Sequence, residues 1–198
     1  TRFRQRRYIQ NYITEFEQVL YSPGFADPVR GYAAWIDVES FIQYFLVNEL
    51  TRNIDGDLRR STFVYKKRDG KLFLGPLWDF DLSAGNADYL QGDVATGWHI
   101  RNAPWYQRLF EDPAFKARVV ARWAEISRNG TLDAWFDRLD ARRTFLSVVQ
   151  RRNFERWDIL GIYVWPNAVV TGSYDGEVAY MSTFLRQRRL WIDANISR

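Results

Sequence analysis

Apolar residues recur at helical spacing along most of this chain and change to strand spacing only once. Between residues 2 and 21, Tyr8, Ile9, Tyr12, Ile13, Phe16 and Leu20 keep to a helical period, and Ser22-Pro23-Gly24 ends the run. Asp37 stands in N-cap position before a second apolar helix through Phe41, Ile42, Tyr44, Phe45, Leu46 and Leu50. That helix runs into the polar turn Asn53-Ile54-Asp55-Gly56-Asp57. The period then changes to two. Thr62-Phe63-Val64-Tyr65 alternates, Arg68-Asp69-Gly70 supplies a turn, and Lys71-Leu72-Phe73-Leu74 returns. The second arm feeds through Gly75-Pro76 into Leu77-Trp78-Asp79-Phe80-Asp81-Leu82. Read as extended, that segment sends Trp78, Phe80 and Leu82 to the core and Asp79 and Asp81 to the opposite face.

Residues 83 to 104 are small and polar and read as loop. The rest reads as helix: Trp105 to Glu111, Pro113 to Arg128 closed by Asn129-Gly130, and one long pattern from 131 to 157. Leu132, Trp135, Phe136, Leu139, Phe145, Val148 and Val149 mark the apolar face of that long pattern. An irregular apolar segment, Ile159 to Val170, contains Pro166, and a last helix runs from about Glu177 to Ile196. The expected fold class is α+β, predominantly α-helical, with one short antiparallel β-hairpin flanked by acidic loops. Residues 1–198 read as one domain.

Composition supports a packed core. Hydrophobic residues make up 46% and aromatics 17%, which excludes a disordered chain. With nine Trp and fourteen Phe, most rings are expected to be buried. A net charge of +4 does not mark a nucleic-acid binder. There is no cysteine, so no disulfide and no thiolate zinc site can form, and the compartment stays open. No stretch has the length of a membrane span. The chain starts at Thr1 inside a helical pattern and reads as a fragment.

Candidate chemistry concentrates between Asn53 and Asn86. A hairpin brings its two ends together, so the Asp55 turn and the Asp79 loop should be neighbours. Adjacent carboxylates repel unless they are solvated, paired with cations or sharing a metal, and Mg²⁺ and Mn²⁺ prefer such oxygen ligands. One acid orienting or deprotonating a hydroxyl while another holds a metal on phosphates is the arrangement phosphoryl transfer needs. Plainer readings compete. Asp55-Gly56 is also an ordinary turn, Asp57 a surface charge, and Asp79 a loop cap or arginine partner. Asn53, Asp55 and Asp57 have calcium-loop spacing, but the required Glu is missing. His99, the only histidine, suits packing or hydrogen bonding better than a triad or zinc site. The tryptophans could form a sugar platform, with Trp98 and Trp105 the candidates for exposure. Arg151, Arg152 and Arg156 could clamp phosphate or form surface salt bridges.

One resemblance sharpens these alternatives. Asn53-Ile54-Asp55-Gly56-Asp57, Ser61 to Lys66, Asp69-Gly70-Lys71-Leu72, Gly75 to Leu82 and Gly85-Asn86 together resemble the core of the CotH kinase family. That family is named for a bacterial spore-coat protein and is similar in fold to secretory-pathway protein kinases. Arg151 to Trp157, Val164-Trp165-Pro166-Asn167 and Leu185 to Asp193 resemble its helical tail. The resemblance implies a kinase-like C-terminal subdomain. It also implies Asp55 as the catalytic acid, Asp79 as metal ligand, Asp81 as second ligand or support, Asn53 as orienter of the turn on the cofactor side, and Asn86 as phosphate contact or loop support. It further implies ATP with Mg²⁺ or Mn²⁺, a protein Ser or Thr as acceptor, and an extracytoplasmic or cell-envelope setting.

Two departures accompany it. Arg60 stands where ordinary kinases have an asparagine as second metal ligand, so the number of metals is open. The family's nucleotide-gripping lysine is expected in a preceding β-rich part, so this chain alone is expected to bind ATP weakly or not at all. The alternatives are a non-catalytic surface or coat module of the same fold, and a carbohydrate hydrolase with paired carboxylates.

Overall fold

The computed structural model describes residues 2–198, the side chain of residue 2 excepted. Helix α1 (Arg2–Leu20) is followed by a short 3₁₀ turn and α2 (Val38–Thr51). Then come the strands β1 (Val64–Lys66) and β2 (Leu72–Leu74), a long loop, and α3 (Pro104–Leu109). The helices α4 (Pro113–Arg128), α5 (Thr131–Leu146), α6 (Val149–Arg156) and α7 (Tyr174–Asn195) complete the chain. The fold is predominantly helical α+β, as the hydrophobic pattern predicts.

Helix α2 is the centre of the core. Asp37 caps it by accepting the Ser40 N–H at 2.8 Å. Its buried apolar residues, Val38, Phe41, Ile42, Tyr44, Phe45, Leu46 and Leu50, cover its surface except for a strip at Gln43 and Val47. A helix buried over so wide an arc must be packed on several sides. Phe16 and Leu20 of α1, Tyr106 and Leu109 of α3, Phe115 and Val119 of α4, and Ile192 of α7 belong to the same cluster. The Tyr106 hydroxyl donates to the Phe41 carbonyl at 2.8 Å, which satisfies a polar group inside it. A second, smaller cluster joins Phe136 of α5 to Phe184 and Leu185 of α7.

The hairpin pairs Val64 with Leu74, Tyr65 with Phe73 and Lys66 with Leu72, antiparallel. Asp69 turns it in the left-handed region, at φ 56°. Leu72 and Leu74 are buried. Leu72 also exchanges backbone bonds with Trp35 and Asp37, at 2.9 and 2.8 Å, which fastens the hairpin to the start of α2.

Three expectations need correction. The long 131–157 pattern breaks at Ser147-Val148 into α5 and α6, and Phe145, Val148 and Val149 are exposed. Helix α7 starts at Tyr174, earlier than the apolar period suggests, because Ser173 accepts the Gly176 N–H at 3.0 Å and caps it there. The expectation of buried tryptophans holds for Trp123, Trp135 and Trp191, but the exceptions lie elsewhere than expected. Trp98 and Trp105 pack against the core, while Trp78, Trp157 and Trp165 are exposed. Among the described residues no helix is long and apolar enough to cross a membrane.

Candidate functional site

The site begins where α2 ends. Arg52, at φ 47° and ψ 53°, takes the left-handed conformation and turns the chain out of the helix. Buried Asn53 follows and holds three partners. Its Nδ2 donates to Asn48 Oδ1 at 3.1 Å and to the Asp79 carbonyl at 3.3 Å. Its Oδ1 accepts the Asp55 N–H at 3.3 Å. One side chain therefore ties the Asp55 turn to the Asp79 peptide. Two backbone bonds strengthen the tie: Ile54 N–H to Leu82 O at 3.4 Å and Ala84 N–H to Thr51 O at 2.6 Å. The two acidic loops are neighbours, as the hairpin requires.

The alternation expected over residues 78–82 is absent. Asp79 is left-handed at φ 64°, and this turns the chain instead of extending it. Trp78 is consequently 59% exposed and lies edge-on to Phe63, with ring centroids 6.1 Å apart. Phe80 and Leu82 are half-buried. Strand geometry therefore does not set Asp79 and Asp81 on one face; a turn positions each.

Asp79 is exposed and accepts the Ser61 hydroxyl on Oδ2 at 2.9 Å. Asp81 accepts the Leu82 N–H on Oδ1 at 3.0 Å, and Asn86 Nδ2 donates to the Asp81 carbonyl at 3.0 Å. Asp55 is half-buried, with Arg60 at 3.9 Å. The Arg60 side chain is 71% exposed, so this pair is weak and solvated. Asp57 turns away to Arg59, at 3.4 Å.

The surroundings are negative. No Lys or Arg stands between Lys71 and Arg101, a stretch that holds Asp79, Asp81, Asp88 and Asp93. Tyr89 registers this field. Its phenol is pushed above its ordinary value first by desolvation, then by the charge of Asp55, with Asp81 and Asp88 adding and Arg60 opposing. Tyr89 thus lies within electrostatic reach of both Asp55 and Asp81. It stacks on Trp165 at 5.9 Å and 12°. The Asp88 N–H donates to the Pro166 carbonyl at 3.0 Å, and the Tyr163 hydroxyl to Asp88 Oδ2 at 2.6 Å. The irregular segment before α7 therefore straps the loop after the acids. Beside it opens a cavity of about 510 Å³, lined by Phe80, Asp81 and Asn86 on one side and Trp135, Tyr180 and Met181 on the other. Sequence reasoning missed Ser61, Tyr89 and Trp165 as site residues. Ser61 and Val164-Trp165-Pro166-Asn167 stand in segments that carry the resemblance, and the apolar, Pro-interrupted character of 159–170 hinted that this segment covers something.

Among the described residues, no three His, Asp or Glu side chains gather closely enough to hold a metal by themselves. Mg²⁺ needs no such cage, since one or two carboxylates suffice when phosphate and water complete its shell. Asp79 and Asp81 are exposed carboxylates of that chemical kind. Each has one oxygen engaged, and among the described residues no hydrogen bond reaches Asp79 Oδ1 or Asp81 Oδ2.

Arg151, Arg152 and Arg156 are exposed and form no ion pair among the described residues. Arg156 lies over the Trp157 ring at 4.8 Å. A family model described as CotH kinase protein matches residues 3–192. No curated protein and no solved structure matches the chain significantly.

Proposed function

The chain belongs to the CotH kinase family, and from that premise we propose that it supplies the acid-bearing part of a phosphotransferase. The donor is ATP and the acceptor is a Ser or Thr hydroxyl of a protein. The observation supporting this reading most directly is Asn53. It holds the Asp55 amide with one end of its side chain and the Asp79 carbonyl with the other.

Asp55 orients the acceptor hydroxyl and takes its proton as the oxygen bonds to the γ-phosphorus and the bond to ADP breaks. Its half-buried carboxylate, set on a turn pinned to α2, suits that task because positioning supplies much of the rate. Asp79 and Asp81 would hold Mg²⁺ or Mn²⁺, which when bound neutralises charge on the phosphates. Asn86 fixes the Asp81 peptide, and Ser61 fixes the Asp79 carboxylate.

The test is phosphate transfer by the full-length protein to a protein acceptor, with Asp55→Asn and Asp79→Asn. Asp55→Asn is expected to lose about 10²- to 10⁴-fold in kcat with its melting temperature unchanged. Asp79→Asn is expected to lose activity and raise the Mg²⁺ concentration needed for what remains. Wild-type rates in both variants overturn the reading. Absent transfer by the wild type, with no Mg²⁺-dependent nucleotide binding, would instead favour a non-catalytic module.

A further inference from the structure

His99 is a long way from the acids in sequence, and its seat is built with unusual care. Glu49 of α2 is 1% exposed, Arg188 of α7 is 0% and Arg52 is 2%. The Glu49 carboxylate accepts the His99 N–H at 2.8 Å and Arg188 Nη2 at 3.0 Å on Oε1, and the Arg101 N–H at 3.1 Å on Oε2. Arg188 also donates to the carbonyls of Glu49, Ala95 and Gly97, at 2.8, 3.0 and 2.8 Å. Arg52 donates to the carbonyls of Gln91, Thr96 and Gly97, at 2.7, 2.9 and 3.1 Å. Two guanidiniums and one carboxylate thus hold the backbone on both sides of His99. Buried ion clusters are poor sources of stability compared with apolar packing, and specifying one geometry is a better-attested use.

What that geometry achieves lies at the ring. His99 Nε2 is 3.0 Å from the carbonyl oxygen of Ile54, the residue before Asp55. A carbonyl only accepts, so Nε2 carries the hydrogen. The Ile54 N–H is held from the other side by Leu82 O at 3.4 Å. The residue leading into Asp55 is therefore gripped at both its N–H and its C=O.

We propose that His99 is a positioning residue: seated by Glu49, Arg188 and Arg52, it fixes through its Nε2–H the turn that carries Asp55. This rests on the reading of Asp55 as the acid that meets the acceptor hydroxyl. The role needs a hydrogen-bond donor at that point.

The experiment compares His99→Gln, His99→Asn and His99→Phe in the full-length protein. Glutamine places an amide N–H where Nε2 stands; asparagine places it at Nδ1; phenylalanine keeps the ring and removes the donor. His99→Phe and His99→Asn are expected to lower kcat about tenfold, with KM for ATP and acceptor within about twofold. His99→Gln is expected to stay within about threefold of wild type. Amide exchange at Asp55 and Gly56 should quicken in the Phe variant and not in the Gln variant. If Gln falls with Phe, or Phe keeps wild-type rate and exchange, the inference fails. Asp55→Asn in the same assay separates the two readings. Wild-type rate in that variant sinks the role of Asp55; loss of activity there with a normal His99→Phe sinks only the positioning role.

Discussion

Two glycines show how closely single residues are fitted at the site. A Cβ on Gly56 would come within 2.4 Å of Asn48 Oδ1 and 3.3 Å of Asn53 Nδ2, the amides that pin the Asp55 turn. Gly85 sits at φ +89°, and a Cβ there would meet the Phe184 ring at 2.9 Å. The Tyr180 hydroxyl meanwhile donates to the Gly85 carbonyl at 3.0 Å. Replacing Gly85 combines backbone strain with overpacking. Gly85→Ala is expected to destabilise the protein by about 2–4 kcal/mol, read from urea unfolding midpoints. Phe184→Leu in the Gly85→Ala background should recover part of that loss, and additive effects would rule out this contact as its source. The Gly85-Asn86 pair is legible in the sequence as a motif, but its physical reason is not. Phe184 and Tyr180 lie far along the chain on α7, and nothing local to Gly85 announces them.

Elements divide along the same line. Helices α1, α2 and α4 were legible because period and boundary signals agree, as with Asp37 before α2 and Asn129-Gly130 after α4. The proximity of the acidic loops followed from the hairpin alone. Residues 78–82 misled because one left-handed residue, Asp79, cancels strand alternation without a glycine to mark it. Residues 131–157 misled because apolar periodicity runs on through Phe145, Val148 and Val149, which are exposed. The α2–α7 ion cluster was hidden for another reason: Glu49, Arg52 and Arg188 look like ordinary solvated charges until three elements enclose them. Burial pushes the Arg188 guanidinium down to about 10, with Glu49 restoring part of the loss and Arg52 adding to it. Arg188→Ala should cost about 3–5 kcal/mol, because Glu49 then stays buried without its partner. Arg188→Lys should recover little. A single ammonium cannot serve Glu49, Ala95 and Gly97 at once, whereas the planar fork does. Unfolding midpoints near wild type for either variant would mean that the cluster is not structural.

At the scale of the whole molecule, separate parts are tied together by buried phenols, which makes stability depend on alkaline pH. The Tyr32 hydroxyl donates to Asp112 at 2.6 Å, joining the segment before α2 to the cap of α4. Tyr106 ties α3 to α2 through the Phe41 carbonyl, and Tyr44 ties α2 to the Asp55 turn through the Gly56 carbonyl at 3.2 Å. Desolvation raises all three phenols above the ordinary 10.0, helped at Tyr32 by its bond to Asp112 and opposed at Tyr44 by its bond to Thr62. Below that value these groups are protonated in both states and add no slope. Above it, the unfolded chain releases protons that the folded chain keeps, so stability falls as pH rises. The Arg188, Arg52 and Arg101 guanidiniums, each lowered by burial, work in the opposite sense. Tyr12, Tyr21, Tyr89, Tyr163 and Tyr180 are raised as well, so the phenols outnumber them. Urea midpoints should therefore be flat from pH ~7 to ~9 and fall from pH ~10 upward. Phenolate absorbance from the buried rings should appear only with unfolding. Tyr106→Phe should shift the whole curve, through its lost bond to Phe41, while flattening the alkaline limb. A limb of unchanged steepness in that variant would assign the pH dependence to other groups.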